Sequence, residues 1–152
     1  VHRLIAKLRP LALDQFGLRD ALQDLLDDQR LHHPDVALQL GTSGPLDGLD
    51  DALSTAVYRI VQEPVNNALR HARASRIDVQ LDASALGLHL QVADNGSGQV
   101  AQFQAPGHYG VLGMRERAQA LGGSFDMEQM EPTGVRIRVS LPIKPVAGSE
   151  IL

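Results

Sequence analysis

The sequence contains no cysteine and no tryptophan, and aromatic residues make up only 3% of it. Without cysteine, disulfide bonds and thiolate-bound metals are excluded. No apolar run approaches the roughly 18 residues that a membrane-spanning helix needs, and the N-terminus shows no signal-peptide pattern. The net charge of −4 argues against a general affinity for nucleic acid. These absences fit a cytoplasmic domain, which is what we expect.

The length of 152 residues suffices for one domain with a core and one appended helix. The apolar share of 43% and the charged share of 21% are ordinary for a globular protein. The first residue is Val1, and the sequence opens within a helical pattern. We therefore expect the chain to be part of a longer protein.

The spacing of apolar residues predicts helices, and their alternation predicts strands. We expect helices over residues 2–9, from 14 or 15 to 33, from 50 or 51 to 72, and over 111–121, with Gly122 as a left-handed C-cap. Strands are expected over residues 35–40, 76–81, 86–93, 124–130 and 134–141. Residues 41–47 are predicted to form a turn, and the glycine-containing segment 94–110 a loop. This order predicts an α/β fold, a two-layer sandwich with a mixed sheet.

Four polar residues lie at helical spacing in the long middle helix: Glu63, Asn67, Arg70 and His71. Intervals of four and three residues place them on one stripe. Such a stripe suits a metal–phosphate site, because asparagine can give magnesium an oxygen ligand and arginine can offset phosphate charge. Taken alone, the stripe is more commonly a solvated helix face.

Two glycine-containing segments are the other candidates. Asp94 ends an apolar strand and opens the turn Asn95–Gly98, so it can present a carboxylate to a ligand's amino group. A plain tight turn explains the same residues. Residues 107–114 run from a glycine loop into a helix, whose free N–H groups can bind an anion or can simply be capped. Neither the P-loop pattern nor Gly-x-Gly-x-x-Gly occurs in the chain.

The order and residue types of the three clusters resemble the GHKL ATPase superfamily. Residues 58–72 resemble its N-box, residues 92–98 its G1 box, and residues 107–118 its G2 box with the following helix. More narrowly, the chain resembles the sensor histidine kinases that pair with NarL-type response regulators. Residues 8–22 resemble the end of the dimerisation helix and the linker, so the resemblance covers about residues 4–142. It implies a Bergerat-type ATP-binding fold.

The resemblance also implies a division of the chain. Residues 1–33 correspond to the end of the dimerisation helix and a linker helix, residues 34–143 to the ATP-binding catalytic domain, and residues 144–152 to a tail. The implied activity is transfer of the ATP γ-phosphoryl group to a histidine on a dimerisation helix that this chain lacks. The implied partners are those helices and a NarL-type response regulator, with no nucleic acid. The parent protein is expected to be a homodimer, anchored in the inner membrane.

ATP and Mg²⁺ are the implied ligands, and the resemblance assigns a role to each polar residue. Asp94 accepts a hydrogen bond from the adenine amino group. Asn67 coordinates the magnesium ion that bridges the phosphates. Glu63, at the acidic N-box position, is the catalytic residue that polarises the attacking group or a water. Arg70 and His71 lie near the phosphates.

Four glycines and one threonine complete the implied site. Gly96 and Gly98 shape the adenine pocket. Gly110 and Gly113 let the backbone of the lid approach the phosphate chain. Thr133 adds a polar contact behind the base.

Two features depart from the family pattern or qualify it. Pro64 stands in the helix interior, where it removes a backbone bond to residue 60 and predicts a kink between Glu63 and Asn67 that weakens nucleotide binding. The lid between Gly98 and Gly110 has eleven residues, which predicts an open site of weak to moderate affinity. The alternatives are a nucleotide-binding regulatory or interaction module without kinase activity, another GHKL ATPase such as a topoisomerase, and a domain that binds no nucleotide.

Overall fold

The structure, a computed structural model, describes residues 10–105 and 109–143. The predicted helix over residues 2–9, the tail from residue 144, and Gly107 and His108 of the glycine loop lie outside the described residues. The helices are α1 (Leu11–His32), α2 (Asp51–Arg70), α3 (Val100–Phe103) and α4 (Tyr109–Ala120). The strands are β1 (Ala37–Ser43), β2 (Arg76–Ala83), β3 (Gly87–Asp94), β4 (Ser124–Gln129) and β5 (Val135–Pro142).

The five strands form one mixed sheet in the order β1-β2-β3-β5-β4. β1 runs parallel to β2, and the remaining neighbours are antiparallel. Alternate residues of β2, β3 and β5 are buried and share one apolar core with the helices. The predicted two-layer α/β sandwich with a mixed sheet is therefore confirmed.

Helix α2 is the central helix of the core. Its N-cap is Asp50, whose carboxylate accepts from the backbone N–H of Leu53 at 2.7 Å, an arrangement that satisfies one free donor of the first turn. The helix continues as one element through Pro64 to Arg70. Pro64 therefore does not divide the polar stripe into two segments.

Helix α1 begins earlier than predicted, directly after Pro10. The N–H of Leu13 bonds to the Pro10 carbonyl at 3.1 Å, which starts the helix ahead of the predicted residue 14. Gly17 interrupts the helical conformation with φ 80° and ψ 174°. Residues 18–26 then place four leucines and an alanine in the same core as the sheet. Whether residue 33 divides two units stays a prediction.

Two other predicted boundaries were wrong. β1 continues through the predicted turn as far as Ser43, because Gly41 and Thr42 pair with residues of β2. The predicted loop 94–110 contains the single-turn helix α3 and the start of α4. The predicted left-handed cap is confirmed, since Gly122 has φ +79°. Among the described helices, none has both the length and the apolar character needed to cross a bilayer.

Candidate functional site

The last two turns of α2 form one wall of a cavity of about 270 Å³. The opposite side consists of Phe103 and the first turn of α4. The cavity brings together all four residues of the predicted stripe together with the unpredicted Asn66: Glu63, Asn66, Asn67, Arg70 and His71. Glu63 and Asn67 are half-buried, whereas Arg70 and His71 are exposed. The stripe is therefore the lining of a cavity and not an open solvated face.

Gly110, in the first turn of α4, lies against Glu63. A Cβ at this position would overlap the Glu63 carboxylate. Only glycine allows α4 to begin this close to the acidic side chain with neither group displaced. The carboxylate thus lies beside the N-terminal turn of a helix, where backbone N–H groups and the helix dipole favour negative charge.

A second and much smaller cavity, of about 10 Å³, adjoins the first. Asn67 and Phe103 line both cavities, so these two side chains stand at the junction. The remaining lining of the small cavity is apolar except for one carboxylate: Pro64, Val92, Asp94, Met127, Val135 and Ile137. The two cavities thus lie on either side of Asn67 and Phe103, and together they are called the cleft, with an apolar end beside Asp94 and a polar end beside Glu63.

Asp94 supplies the only acid at the apolar end among the lining residues. Burial raises the pKa of its carboxyl above the ordinary value, while hydrogen bonds from the backbone N–H groups of Gly96 and Val135 lower the pKa in part. The Gly96 N–H lies 2.8 Å from Asp94 Oδ1. These bonds fix the orientation of the carboxylate, which is therefore held ready to accept from a ligand.

The turn after Asp94 is fastened to the end of α2 and the start of β2. Asn95 Oδ1 accepts from the backbone N–H groups of Ser75 and Arg76, each at 3.0 Å. The Ser97 N–H donates to the Ala72 carbonyl at 2.7 Å. A Cβ at Gly96 would lie 2.5 Å from that same carbonyl oxygen, so the turn passes too close to α2 for a side chain. Asn95 and Ser97 therefore position Asp94 relative to Asn67.

The remaining predicted residues lie around the cleft. Gly98 packs against Phe103, whose ring would lie 3.0 Å from a Cβ at that glycine. Thr133 does not line either cavity; its hydroxyl donates to the Asn95 carbonyl at 3.1 Å and supports the turn from behind. A Cβ at Gly113 would meet no described heavy atom within 4 Å, so packing within the described chain does not require glycine there.

Several residues that shape the cleft were not predicted from the sequence. Phe103 and Asn66 line it directly, and Gln129 bonds to the backbone of the turn and of α3. The run Val100–Phe103 is too short to show helical periodicity, so no pattern indicated that Phe103 faces inward. Gln129 acts across 31 residues of sequence, a distance at which local patterns carry no signal.

The chemistry of the cleft suits an elongated ligand with two unlike ends. At the apolar end, a single carboxylate can accept from an amino group on a flat apolar ring. At the other end, a guanidinium, an imidazole and a helix N-terminus suit an anion. Within residues 10–105 and 109–143, no three acidic or histidine side chains come together to hold a metal. Asn67 and Glu63 supply two oxygen donors, a number that suits Mg²⁺ when the anion provides further ligands.

Comparison with known proteins shows which family the chain resembles. The profile of the family described as histidine kinase-, DNA gyrase B- and HSP90-like ATPase matches residues 52–145. Over 146 residues the chain is 36% identical to the sensor histidine kinase LiaS of Bacillus subtilis, covering 95% of this chain and 39% of LiaS. It is 34% identical over 142 residues to the signal transduction histidine-protein kinase/phosphatase UhpB of Salmonella typhimurium, covering 93% of this chain and 28% of UhpB. The chain thus spans less than half the length of these relatives.

Solved structures share the fold. The ATP binding domain of PrrB from Mycobacterium tuberculosis superposes with a TM-score of 0.61 at 24% identity, over 82% of this chain and 95% of that one. The catalytic domain of the histidine kinase ThkA gives a TM-score of 0.62 at 17% identity, over 86% of this chain and 97% of that one.

Proposed function

Because this chain belongs to the histidine kinase-, DNA gyrase B- and HSP90-like ATPase family, we propose that it is the ATP-binding catalytic domain of a sensor histidine kinase. The observation that carries the proposal is the two-ended cleft. Asp94 lies at its apolar end, Glu63, Arg70 and His71 lie at its polar end, and Asn67 stands at the junction.

Each end of the cleft has a defined role in this proposal. Asp94 accepts a hydrogen bond from the exocyclic amino group of adenine, while Val92 and Ile137, side by side on adjacent strands, pack against one side of the base. Arg70 and His71 offset the charge of the phosphates. Gly110 lies against Glu63 and has no side chain. The backbone N–H groups of the first turn of α4 can therefore approach the phosphate chain beside Glu63.

The half-buried carboxamide of Asn67 and the carboxylate of Glu63 fit a magnesium ion that takes its other ligands from phosphates and water. When bound, such an ion neutralises phosphate charge. The residues of this chain bind and orient the nucleotide, which is most of what phosphoryl transfer requires from a protein.

The proposed reaction joins an imidazole nitrogen to the γ-phosphorus. The bond from that phosphorus to the bridging oxygen breaks, and ADP leaves with the electron pair. Glu63 is the residue placed to orient or polarise the attacking group. The acceptor histidine belongs to a dimerisation helix of the parent protein, which we propose is a homodimer in the membrane with this domain on its cytoplasmic side. A NarL-type response regulator is the proposed recipient of the phosphoryl group.

Two measurements test the proposal. Calorimetric titration of the 152-residue chain with ATP, with and without Mg²⁺, is expected to give magnesium-dependent binding that Asp94→Asn and Asn67→Ala both weaken. Labelled ATP is then supplied with a separate dimerisation helix that carries the acceptor histidine. Phosphorylation of that helix supports the kinase, whereas binding without transfer supports a regulatory nucleotide-binding module. No binding at all overturns both.

A further inference from the structure

The last residue of β4, Gln129, uses both ends of its carboxamide to bond to the backbone of other segments. Its Oε1 accepts from the N–H of Val100 at 3.0 Å. Its Nε2 donates to the carbonyl of Gly134 at 2.9 Å and to that of Gly98 at 3.3 Å. One side chain thus bonds to two stretches of backbone, residues 98–100 and Gly134.

Both stretches lie beside the apolar end of the cleft. Gly98 closes the turn that Asp94 opens. Gly134 directly precedes β5 and lies against the Asp94 backbone, where a Cβ would overlap the Asp94 carbonyl oxygen. Val100 is the first residue of α3, and the last residue of that helix, Phe103, lines both cavities. The carboxamide of Gln129 therefore connects the walls of the pocket that holds the carboxylate.

Helix α3 has only four residues, far fewer than a helix needs to be stable by itself. Its own stabilising feature is a capping box between Gln99 and Gln102. Contacts with other parts of the chain must therefore hold α3 against the sheet. Gln129 supplies one such contact, because its Oε1 accepts a hydrogen bond from the N–H of Val100, the first residue of the helix.

We propose that Gln129 is a positioning residue for base recognition, an inference that rests on the proposed function. It holds the turn after Asp94 and the start of α3 against the end of β4, which fixes the position of Asp94 at the apolar end of the cleft. Its chemistry is specific, because only a carboxamide of this length both accepts from Val100 and donates to two carbonyl oxygens. Gln129 is exposed, so its side chain is not held in this position by packing in the apolar core.

The first test compares Gln129→Met with Gln129→Glu. Methionine keeps the length and loses all three bonds, whereas glutamate keeps the acceptor and loses both donors. The matched control is Gln119→Met, on the exposed side of α4, away from the lining of either cavity. We expect Gln129→Met to weaken ATP binding about fivefold to tenfold, the factor that corresponds to roughly one hydrogen bond. Gln129→Glu is expected to fall between Gln129→Met and the unaltered chain.

A purely structural role would weaken all nucleotides alike, so the deciding readout is the preference for ATP over GTP. Loss of base positioning lowers that preference, because guanine has a carbonyl oxygen, an acceptor, at the position where adenine offers its amino group to the Asp94 carboxylate. A second readout needs no nucleotide: hydrogen exchange at the Val100 amide is expected to accelerate in Gln129→Met and to remain slow in Gln119→Met.

The possible outcomes separate this inference from the proposed function. If the unaltered chain binds no ATP, the proposed function and this inference both fail. If the unaltered chain binds ATP but Gln129→Met keeps the same affinity and the same ATP-over-GTP preference, only this inference is overturned. It is equally overturned if both nucleotides weaken by the same factor, or if the Val100 amide exchanges at the unaltered rate.

Discussion

The carboxylate of Glu63 lies directly against the Cα of Gly110, so that no side chain stands between α2 and the first turn of α4. The two residues come from segments separated by the whole β2–β3 hairpin and the lid. Their contact closes the polar end of the cleft. Because the neighbour is the far end of a flexible side chain, a methyl group at residue 110 would displace the carboxylate and leave the backbone in place.

Gly110→Ala is therefore expected to damage function more than folding. Alanine favours the helical conformation over glycine by up to about 1 kcal/mol, which offsets the small cost of moving the Glu63 side chain. The displaced carboxylate no longer orients the attacking group, and a shift of about 1 Å can lower a rate roughly 100-fold. We expect a melting temperature within a few degrees of the unaltered chain and at least a tenfold slower phosphotransfer to a supplied acceptor helix.

Glu63→Gln is the companion variant, because it removes the charge and keeps the shape. If Gly110→Ala acts through Glu63, the double variant is no slower than the slower single one. Additive losses would show that Gly110 acts independently of the carboxylate.

Asp94→Asn separates binding from stability. Burial raises the pKa of Asp94, so folding with an ionised carboxylate carries a cost that asparagine avoids. We expect the variant to bind ATP at least tenfold more weakly, in line with loss of a charged hydrogen bond, while its unfolding free energy at neutral pH stays the same or rises. Chemical denaturation and calorimetry measure the two quantities, with the exposed Asp126→Asn as control. A variant that loses both stability and binding contradicts this account.

The raised pKa of Asp94 also sets the direction of the pH dependence. A group whose folded-state pKa is raised favours folding in its protonated form, so the stability advantage of Asp94→Asn is present at neutral pH. It disappears as pH falls below the ordinary aspartate value of about 4. ATP binding needs the ionised form, so affinity is expected to decline on acidification earlier than for an aspartate of ordinary pKa. Titrations of the unaltered chain and of Asp94→Asn over the same acidic pH range measure this, and affinities that decline in parallel in the two proteins would contradict it.

Strand alternation and helical spacing were enough to predict the layered fold, because β2, β3 and β5 have one buried and one exposed row. The polar stripe of α2 was predictable for the same reason, since Glu63 and Asn67 share a helix face. That this stripe lines a cavity depends on the position of α4, which no local pattern indicates.

The missed features are those that tertiary contacts determine. β1 extends through Gly41 and Thr42 because β2 offers partners to those residues, although the glycines, serine and proline of residues 41–47 are typical of a turn. Helix α3 is held partly by Gln129, 29 residues away. Single-turn elements have little intrinsic stability, so their sequences need not carry a helical pattern.

Phe103 is expected to control access to the apolar end. Its side chain is only 4% exposed, and the cavity beside Asp94 holds about 10 Å³, room for roughly one water molecule. A purine can enter only if the ring moves. Phe103→Leu reduces the bulk at a cost of about 1–2 kcal/mol in stability, and we expect faster association of a fluorescent ATP analogue in stopped-flow measurements. An unchanged association rate with unchanged affinity would show that the ring is no barrier.

Pro64→Ala tests the proline in the interior of α2. Alanine restores the backbone N–H that can bond to Ile60 and removes a helix-interior penalty of up to about 3 kcal/mol. It also removes ring carbons that are buried and line the cavity beside Asp94, at about 0.8 kcal/mol for each methylene. The net expectation is a gain in stability of about 1 kcal/mol.

The same substitution is expected to change nucleotide affinity. α2 is already one helix through Pro64, so any change in affinity must come mainly from the lining of the apolar end. A smaller side chain there leaves more room for the base. We expect calorimetry to give tighter ATP binding for Pro64→Ala. Unchanged affinity beside the expected stability gain would show that proline at this position affects folding alone.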